Sequence, residues 1–373
     1  MTIGFDGQNA VQNNKHRQDF SRQVIDCVSQ YLPDNKYFIY SARFANNAYL
    51  TPIVSRTNVK LKHQHKGITV FMWRSVSGIL RSLHRHHVKL YHGLCGQVPL
   101  RIAGSGIASV VTFEDTQFLT HDTGMGWWER KVKCFMGRKS CHNAQCITTL
   151  SQSMKQHLTD AFGLSADAVQ VIPPAIGEEY NELTEGVLAE TKDKYGFVEN
   201  KYILVNCDTM DAVDPAMLTA MAQVCDESMD LWLVGKQSKP VAHALRKVQQ
   251  QCGFKGNIRH STHTYHNRIA ALTAMAHACI AVGGNHTFPS IAAGAQYLGT
   301  PVIAGSQFAD VLGDGALIVD MANGEQLAKA LSLVNDDDAR QALTSRAKVN
   351  AQQFDGQAVA LRYQDVYNQA LNS

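Results

Sequence analysis

The sequence lacks any long uninterrupted apolar run. Nowhere do about 18 uncharged apolar residues follow one another, which is roughly the length that a membrane-spanning helix needs. The first residues, MTIGFDGQNA, carry neither the basic head nor the apolar core of a signal peptide. We therefore expect a soluble protein of the cytoplasm, with a peripheral position at the inner membrane face as an open alternative.

Cysteine pairs and metal-binding spacings are also absent. The nine cysteines form no C-x-x-C pair, and several lie inside apolar segments, where a thiol behaves as a small hydrophobic group. This excludes a disulfide-rich secreted domain and predicts reduced core thiols. None of the 16 histidines belongs to an H-E-x-x-H motif or to Cys/His ligand spacing, so no metal site is expected.

Charge divides the chain into two unlike halves. With 373 residues and 45% hydrophobic residues, the chain is long enough for two domains. Residues 1–172 hold 20 Lys and Arg against 10 Asp and Glu (+10), and residues 173–373 hold 15 against 22 (−7), which together give +3. A basic half suits anionic lipid or an acidic ligand, and two complementary domains account for it equally well. No nucleic-acid-binding module is present, so nucleic acid is not an expected partner.

Short apolar runs alternate with helical segments through the first half. This alternation predicts a parallel sheet wrapped by helices, in a domain that spans residues 1–172. Ser151 is expected to cap a helix, and Pro173-Pro174 marks the domain boundary. The predicted strands are residues 3–5, 38–41, 88–91, 109–113, 146–150 and 169–172.

The second half repeats this alternation and predicts a second doubly wound domain over residues 173–355. A C-terminal helix follows over residues 356–373, and Asp336 to Asp338 are expected to cap a helix start. The predicted strands are residues 202–206, 231–235, 279–282, 301–304 and 316–319, and the helices between them are residues 217–224, 241–251, 267–278 and 291–298. The loop after residue 282 leads into a helix, and we expect the N-terminus of this helix to bind phosphate.

Eight segments resemble, in chain order, those of family 4 (group 1) glycosyltransferases with the GT-B fold. The resemblance implies two Rossmann-like domains facing across a crevice, with the C-terminal helix crossing back to the first. It also implies retaining, metal-independent transfer from a nucleotide sugar, without a cofactor. The segments are IGFDGQNA, LYHGLCGQVPL, the Ser151 turn, KYG followed by YILV, LVGK, LGTPVIAG, GDGALIVD and NDDDARQAL.

The donor loop departs from the family pattern. Two glutamates that hold donor hydroxyls in the family correspond here to His286 and Gly294, so both carboxylates are missing. His286 is either a solvated loop residue or a phosphate contact, and Lys236 is either a donor contact or a solvated strand end. The expected donor-binding residues are Lys236, Asn285, Thr287, Phe288, Ser290 and Gly294.

Other family positions are altered as well. Asp208, Asp211 and Asp214 follow the first strand of the second domain, where the family has Arg and Lys for the diphosphate. The family's glycine-rich loop becomes residues 14–19, and its active-site histidine becomes Glu114, either a base or a loop carboxylate. The catalytic candidates are Glu114, Asp115 and His286, and the acceptor-side candidates are His16, Arg17 and His92.

Together these changes favour a catalytically degenerate glycosyltransferase of polysaccharide or glycoconjugate biosynthesis. Such a protein would scaffold or regulate a partner transferase, form a homodimer, or bind a sugar or lipid acceptor. The alternative is an active enzyme with a remodelled donor site. The segment Trp127 to Lys139 combines aromatic and cationic residues, which suits an anionic membrane surface, although a helix that covers the sheet would have a similar composition.

Overall fold

The chain forms two compact units in the computed structural model. Unit 1 holds Met1–Ala175, His286–Phe288 and Phe354–Ser373, and unit 2 holds Ile176–Asn285 and Pro289–Gln353. The structure describes residues 1–12, 19–42, 47–63, 78–120, 125–209, 215–225, 227–236, 239–261, 266–284 and 287–373. Only the backbone is described at residues 178, 207–209, 215, 235–236, 239–245, 261 and 266–267.

Unit 1 is built on a seven-stranded sheet of order β3-β2-β1-β4-β5-β6-β7. All its strand pairings are parallel, so helical crossovers cover both of its faces. The strands are β1 (Thr2–Asp6), β2 (Lys36–Ser41), β3 (Val59–His63), β4 (Leu90–Gly93), β5 (Ala108–Phe113), β6 (Cys146–Thr149) and β7 (Val169–Val171).

Two cores fill the faces of this sheet. One core joins strand residues such as Phe5 to the second and last helices of unit 1, which also pack along each other. The other core joins strand residues such as Phe113 to the fourth, fifth and sixth helices. The helices are α1 (Gln8–Gln12), α2 (Phe20–Tyr31), α3 (Thr51–Val54), α4 (Gly78–Arg85), α5 (Trp127–Asn143), α6 (Gln152–Phe162) and, at the end of the chain, α16 (Gly356–Asn372).

Unit 2 contains a six-stranded sheet of order β10-β9-β8-β11-β12-β13, again with parallel pairings. Its strands are β8 (Tyr202–Thr209), β9 (Asp230–Lys236), β10 (Ile258–Ser261), β11 (Ala278–Val282), β12 (Val302–Gly305) and β13 (Leu317–Val319). Its helices are α7 (Glu178–Asn181), α8 (Glu185–Tyr195), α9 (Pro215–Val224), α10 (Lys239–Cys252), α11 (His266–Ala274), α12 (Ser290–Leu298), α13 (Ala309–Leu312), α14 (Gly324–Asn335) and α15 (Asp337–Ala351).

The predicted fold class is confirmed, with two doubly wound α/β units and a C-terminal helix that packs on unit 1. Ser151 caps α6 by accepting a hydrogen bond from the Met154 backbone N–H at 3.2 Å, and Asp336 caps α15 in the same way. The helix predicted over residues 267–278 is too long, because α11 ends at Ala274 and Ala278 already begins a strand.

The division into units differs in detail from the predicted domain limits. Unit 1 continues past Pro173-Pro174 to Ala175. Its C-terminal part begins at Phe354 rather than at residue 356. Thr287 and Phe288 also cluster with unit 1, whereas the sequence predicted them in the second domain.

No helix in the described ranges is long and apolar enough to cross a membrane. The eight cysteines whose side chains are described are free thiols, and Cys27, Cys141, Cys146 and Cys279 are buried.

Candidate functional site

A cavity of about 190 Å³ opens in unit 1 where three strands end. Strands β1, β4 and β5 run parallel as neighbours, so the residues after them meet at one edge of the sheet. Phe113 and Phe118 supply apolar walls, and α5 contributes Lys133. The polar lining consists of Asn9, Cys95, Gln97, Glu114, Asp115 and Lys133. We refer to this cavity as the Glu114 pocket.

Glu114 follows the last residue of β5 and is half-buried in this pocket. Asn9 Nδ2 donates a hydrogen bond to Glu114 Oε1 at 3.0 Å. The pKa of Glu114 is raised from 4.5 to about 8, first by burial and then by the negative charges of Asp19 and Asp115. At neutral pH the carboxyl group is therefore largely protonated, and it can donate a hydrogen bond as well as accept one.

Local backbone features hold the neighbouring carboxylates in place. Asp19 is the N-cap of α2 and accepts a hydrogen bond from the Arg22 backbone N–H at 3.3 Å. Asp115 Oδ1 accepts one from the Gln117 backbone N–H at 3.1 Å. Gly96 lines the pocket with φ of +67°, and a Cβ there would stand 2.9 Å from the Phe113 ring, so the position requires glycine. These carboxylates can bind hydroxyl groups, and Lys133 brings a positive charge to the lining.

His92, expected on the acceptor side, is instead a core residue of unit 1. Its ring is 0% exposed, with Nδ1 2.9 Å from Tyr367 Oη and Nε2 2.7 Å from Thr112 Oγ1. Burial lowers the pKa of His92 to about 3, so the ring is neutral. Because both ring nitrogens are engaged inside the protein, this position corrects the predicted acceptor contact. The other two acceptor-side candidates, His16 and Arg17, lie outside the described residues.

Gly294, expected to contact the donor, is buried in α12 against the ring of Tyr180 from α7. A Cβ at residue 294 would stand 2.6 Å from Tyr180 Oη and closer still to the ring carbons. Tyr180 is itself only 4% exposed, so the phenol fills this space from within the unit. The predicted donor contact at Gly294 is therefore corrected to a packing contact between two helices.

Phe288 also packs where a donor contact was predicted. Its half-buried ring meets Phe354 edge-on, with ring centroids 5.7 Å apart, and it contacts the core of unit 1. The donor role of Phe288 stays a prediction beside this apolar contact. Thr287 beside it is half-buried, and Ser290 is exposed at the first residue of α12, so their donor roles stay predictions.

The remaining candidates are placed only in part. Lys236 ends β9, but its side chain lies outside the described residues, as do Asn285 and His286 altogether. The same holds for Asp211, Asp214 and the side chain of Asp208. In the part of the chain that is described, no group of three or more His, Cys, Asp or Glu side chains is arranged to hold a metal ion.

Several residues that shape these sites were missed from the sequence. Asn9 lies just after β1, and the rule that ligands bind at the carboxyl ends of parallel strands could have marked it. Lys133 carried no such signal, because its place depends on how α5 lies over the sheet. Tyr180 lies 114 residues from Gly294 in sequence, and no local pattern connects the two.

Comparison with known proteins points to one family. Residues 25–180 match the model of Glycosyltransferase Family 4. A curated relative, a D-inositol 3-phosphate glycosyltransferase of Xylanimonas cellulosilytica, is 26% identical over 245 residues, which cover 61% of this chain and 57% of the relative. The chain thus spans little more than half the length of that relative.

Solved structures share the fold over almost the whole chain. A glycosyltransferase from Rickettsia africae superposes with a TM-score of 0.70 at 15% identity, covering 99% of this chain and 98% of its own. Anabaena HepE, solved in complex with UDP and glucose, superposes with a TM-score of 0.68 at 14% identity, covering 98% and 99%. At such identities the likeness shows the fold alone. The chain therefore has the GT-B fold, and over residues 25–180 it is similar to glycosyltransferase family 4.

Proposed function

We propose that this protein is a degenerate family 4 glycosyltransferase, which binds a sugar or lipid-linked sugar and acts beside a partner transferase. The observation that carries the proposal is the packing of Tyr180 against Gly294. The family resemblance puts a donor-binding carboxylate at residue 294, and here the Tyr180 ring occupies the space that such a side chain would need. A donor would therefore lose a contact that a simple rotamer change cannot restore.

The Glu114 pocket supports retained sugar binding. Its lining offers the neutral carboxyl group of Glu114 and the polar side chains of Asn9 and Gln97, which can exchange hydrogen bonds with hydroxyl groups. The surrounding carboxylates Asp19 and Asp115 disfavour a phosphorylated ligand. The Xylanimonas relative is named for a phosphorylated acceptor. For this chain we propose an uncharged sugar instead.

The experiment uses the full chain with UDP-glucose, GDP-mannose and ADP-glucose. We expect no nucleotide release above the background without protein and no calorimetric heat of binding at millimolar concentration. Saturation-transfer NMR should instead detect a neutral methyl glycoside, more weakly in Glu114→Gln and unchanged in Glu185→Gln, an exposed residue of α8 in unit 2. Steady turnover of any of these donors would overturn the proposal.

A second candidate is an active transferase with a remodelled donor site, and the state of Glu114 favours it. A carboxyl group with a pKa of about 8 can exchange a proton near neutral pH, as a general base or acid must. If this candidate is right, nucleotide release should be measurable and should fall at least about 100-fold in Glu114→Gln. Loss of that release in Glu185→Gln as well would show that the effect is not specific to the pocket.

A further inference from the structure

Helix α5 has an unusual outer face. Trp127, Trp128, Val132 and Phe135 are all exposed, with Trp128 at 73% and Phe135 at 56%. They are four of the twelve exposed large hydrophobic residues in the described part of the chain, and no other element carries more than two of the remaining eight. Single exposed apolar residues are ordinary, but such a group on one helix needs an explanation.

Cations share this face. At 100° per residue, Lys131, Arg138, Lys139 and His142 fall on the same side of the helix as the four apolar residues, and all four are exposed. Lys131 Nζ lies 4.0 Å from the centroid of the Trp127 ring, so aromatic and positive groups are interleaved. The acidic residue of this helix, Glu129, points to the flank and pairs with Lys133 at 3.3 Å. We call the four exposed apolar residues and these four basic residues together the α5 outer face.

The opposite side of α5 explains why the outer face is not part of the core. Met136, Gly137, Ser140 and Cys141 are buried beneath the helix, and Lys133 lines the Glu114 pocket. The helix thus already has a complete inner face. Its outer apolar groups serve no packing purpose within the described part of unit 1.

We infer that the α5 outer face seats the protein on an anionic lipid bilayer. Aromatic side chains partition into the headgroup boundary, and lysine and arginine around them attract anionic headgroups, so apolar burial and charge act together. The charge complementarity favours this occupant, because an anionic bilayer offers an apolar interior and negative headgroups side by side, which matches interleaved aromatic and basic side chains. The inference is independent of the proposed function, since it does not depend on whether sugar is transferred.

The test is co-sedimentation of the full chain with phosphatidylcholine vesicles that contain or lack phosphatidylglycerol. We expect binding at low salt only when phosphatidylglycerol is present, and release at about 1 M salt, where the Debye length falls to ~3 Å. The double variants Trp128→Ser/Phe135→Ser and Lys131→Ala/Lys139→Ala should each weaken the binding about tenfold. Tryptophan fluorescence should shift to the blue on binding to the anionic vesicles.

Val349→Ser and Lys329→Ala are the matched controls, since both residues are exposed in unit 2 and neither belongs to the α5 outer face. Both variants should bind as the unchanged chain does, and all variants should keep its melting temperature. No binding to the anionic vesicles at low salt overturns the inference. So does binding that survives both α5 double variants. A dimer in solution that Trp128→Ser/Phe135→Ser converts to a monomer, without any vesicle binding, would assign the face to a second copy of the chain instead.

Discussion

Glu114 combines an ordinary side chain with an unusual setting. Burial alone disfavours its charged form, and Asp19 and Asp115 add negative charge to the same edge of the sheet. Asn9 partly offsets this by donating a hydrogen bond to the carboxyl group. The result is a group that changes its charge within the physiological range, although an isolated glutamate does so well below it.

This setting predicts how stability depends on pH. The folded-state pKa of Glu114 is raised, so the folded protein binds a proton that the unfolded chain releases between about pH 4.5 and 8. The unchanged protein should therefore lose stability relative to Glu114→Gln as the pH rises through this window. The difference should reach roughly 2–4 kcal/mol at the upper end. Urea unfolding at a series of pH values measures it.

Glu129→Gln is the control, because Glu129 is an exposed residue of α5. Its stability should follow that of the unchanged protein across the same pH range. Parallel curves for Glu114→Gln and the unchanged protein would show that the Glu114 carboxyl group is ionised normally.

The packing of α12 against α7 limits which side chain can stand at residue 294 in unit 2. Strand β11 ends at Val282 and α12 begins at Ser290, so a helix start follows a strand in this part of unit 2. However, α12 carries glycine where it meets Tyr180 of α7, and the two helices close on each other at that point. The contact that holds these elements together thus fills the space that a larger side chain at residue 294 would need.

A single added methyl group should test this packing. Gly294→Ala should lower the free energy of unfolding by about 1–3 kcal/mol, because the new Cβ collides with the Tyr180 ring. In a Tyr180→Ala background the penalty should be smaller, with a coupling energy on the order of 1 kcal/mol or more between the two positions. Urea unfolding of the two single variants and the double variant gives this value.

Gly186→Ala provides the matched helix control. Gly186 is exposed in α8, and the nearest group to an added Cβ is Thr184 Oγ1 at 3.8 Å. This change should leave stability the same or raise it by up to ~1 kcal/mol, since alanine favours a helix more than glycine does. Equal effects at residues 186 and 294 would contradict the packing of α12 against Tyr180.

The two strands that were not predicted from the sequence share one property. Strands β3 and β10 were not predicted, and each lies at the edge of its sheet. β3 reads VKLKH and β10 reads IRHS, with charged or polar residues at about half of their positions or more. An edge strand pairs on one side only and is commonly charged, so its apolar signal is weak. The central strands are buried on both faces, so they contain continuous apolar runs, and these runs predicted them from the sequence.

The candidate sites were predictable to a similar degree. Glu114 could be proposed because it directly follows a visible strand, and the structure places it in a pocket. Its partners Asn9 and Lys133 come from separate elements, and their meeting depends on tertiary packing. The acceptor role predicted for His92 was wrong for the same reason. Its two hydrogen-bond partners, Thr112 and Tyr367, lie 20 and 275 residues away in sequence.

At the scale of the whole molecule, the two units differ in how the chain builds them. Apart from the three-residue segment at 286–288, unit 2 is a continuous stretch with its own sheet and core. Unit 1 needs the end of the chain, because Val359, Tyr363 and Tyr367 of α16 complete its core. Its last core element is therefore synthesised after all of unit 2.

Truncation should separate the two units. Residues 176–353 expressed alone should unfold cooperatively on heating, because their core is complete. A chain that ends at Gln353 should lose cooperative unfolding of unit 1, since removing α16 exposes apolar core and leaves His92 without Tyr367. Near-ultraviolet circular dichroism and limited proteolysis distinguish the units. A melting curve for the truncated chain that matches the full chain would contradict the role of α16.

Helix α5 separates the Glu114 pocket from the proposed lipid-binding face. Lys133 lines the Glu114 pocket from one side of this helix, and Trp128 lies on the other. The lipid headgroups and the pocket would then be about one helix diameter apart, ~10 Å. A lipid-linked ligand would need a headgroup long enough to pass around the helix, and it would reach the protein by lateral diffusion in the plane of the membrane. The pocket would in this way sample a two-dimensional pool of glycolipids rather than the bulk solution.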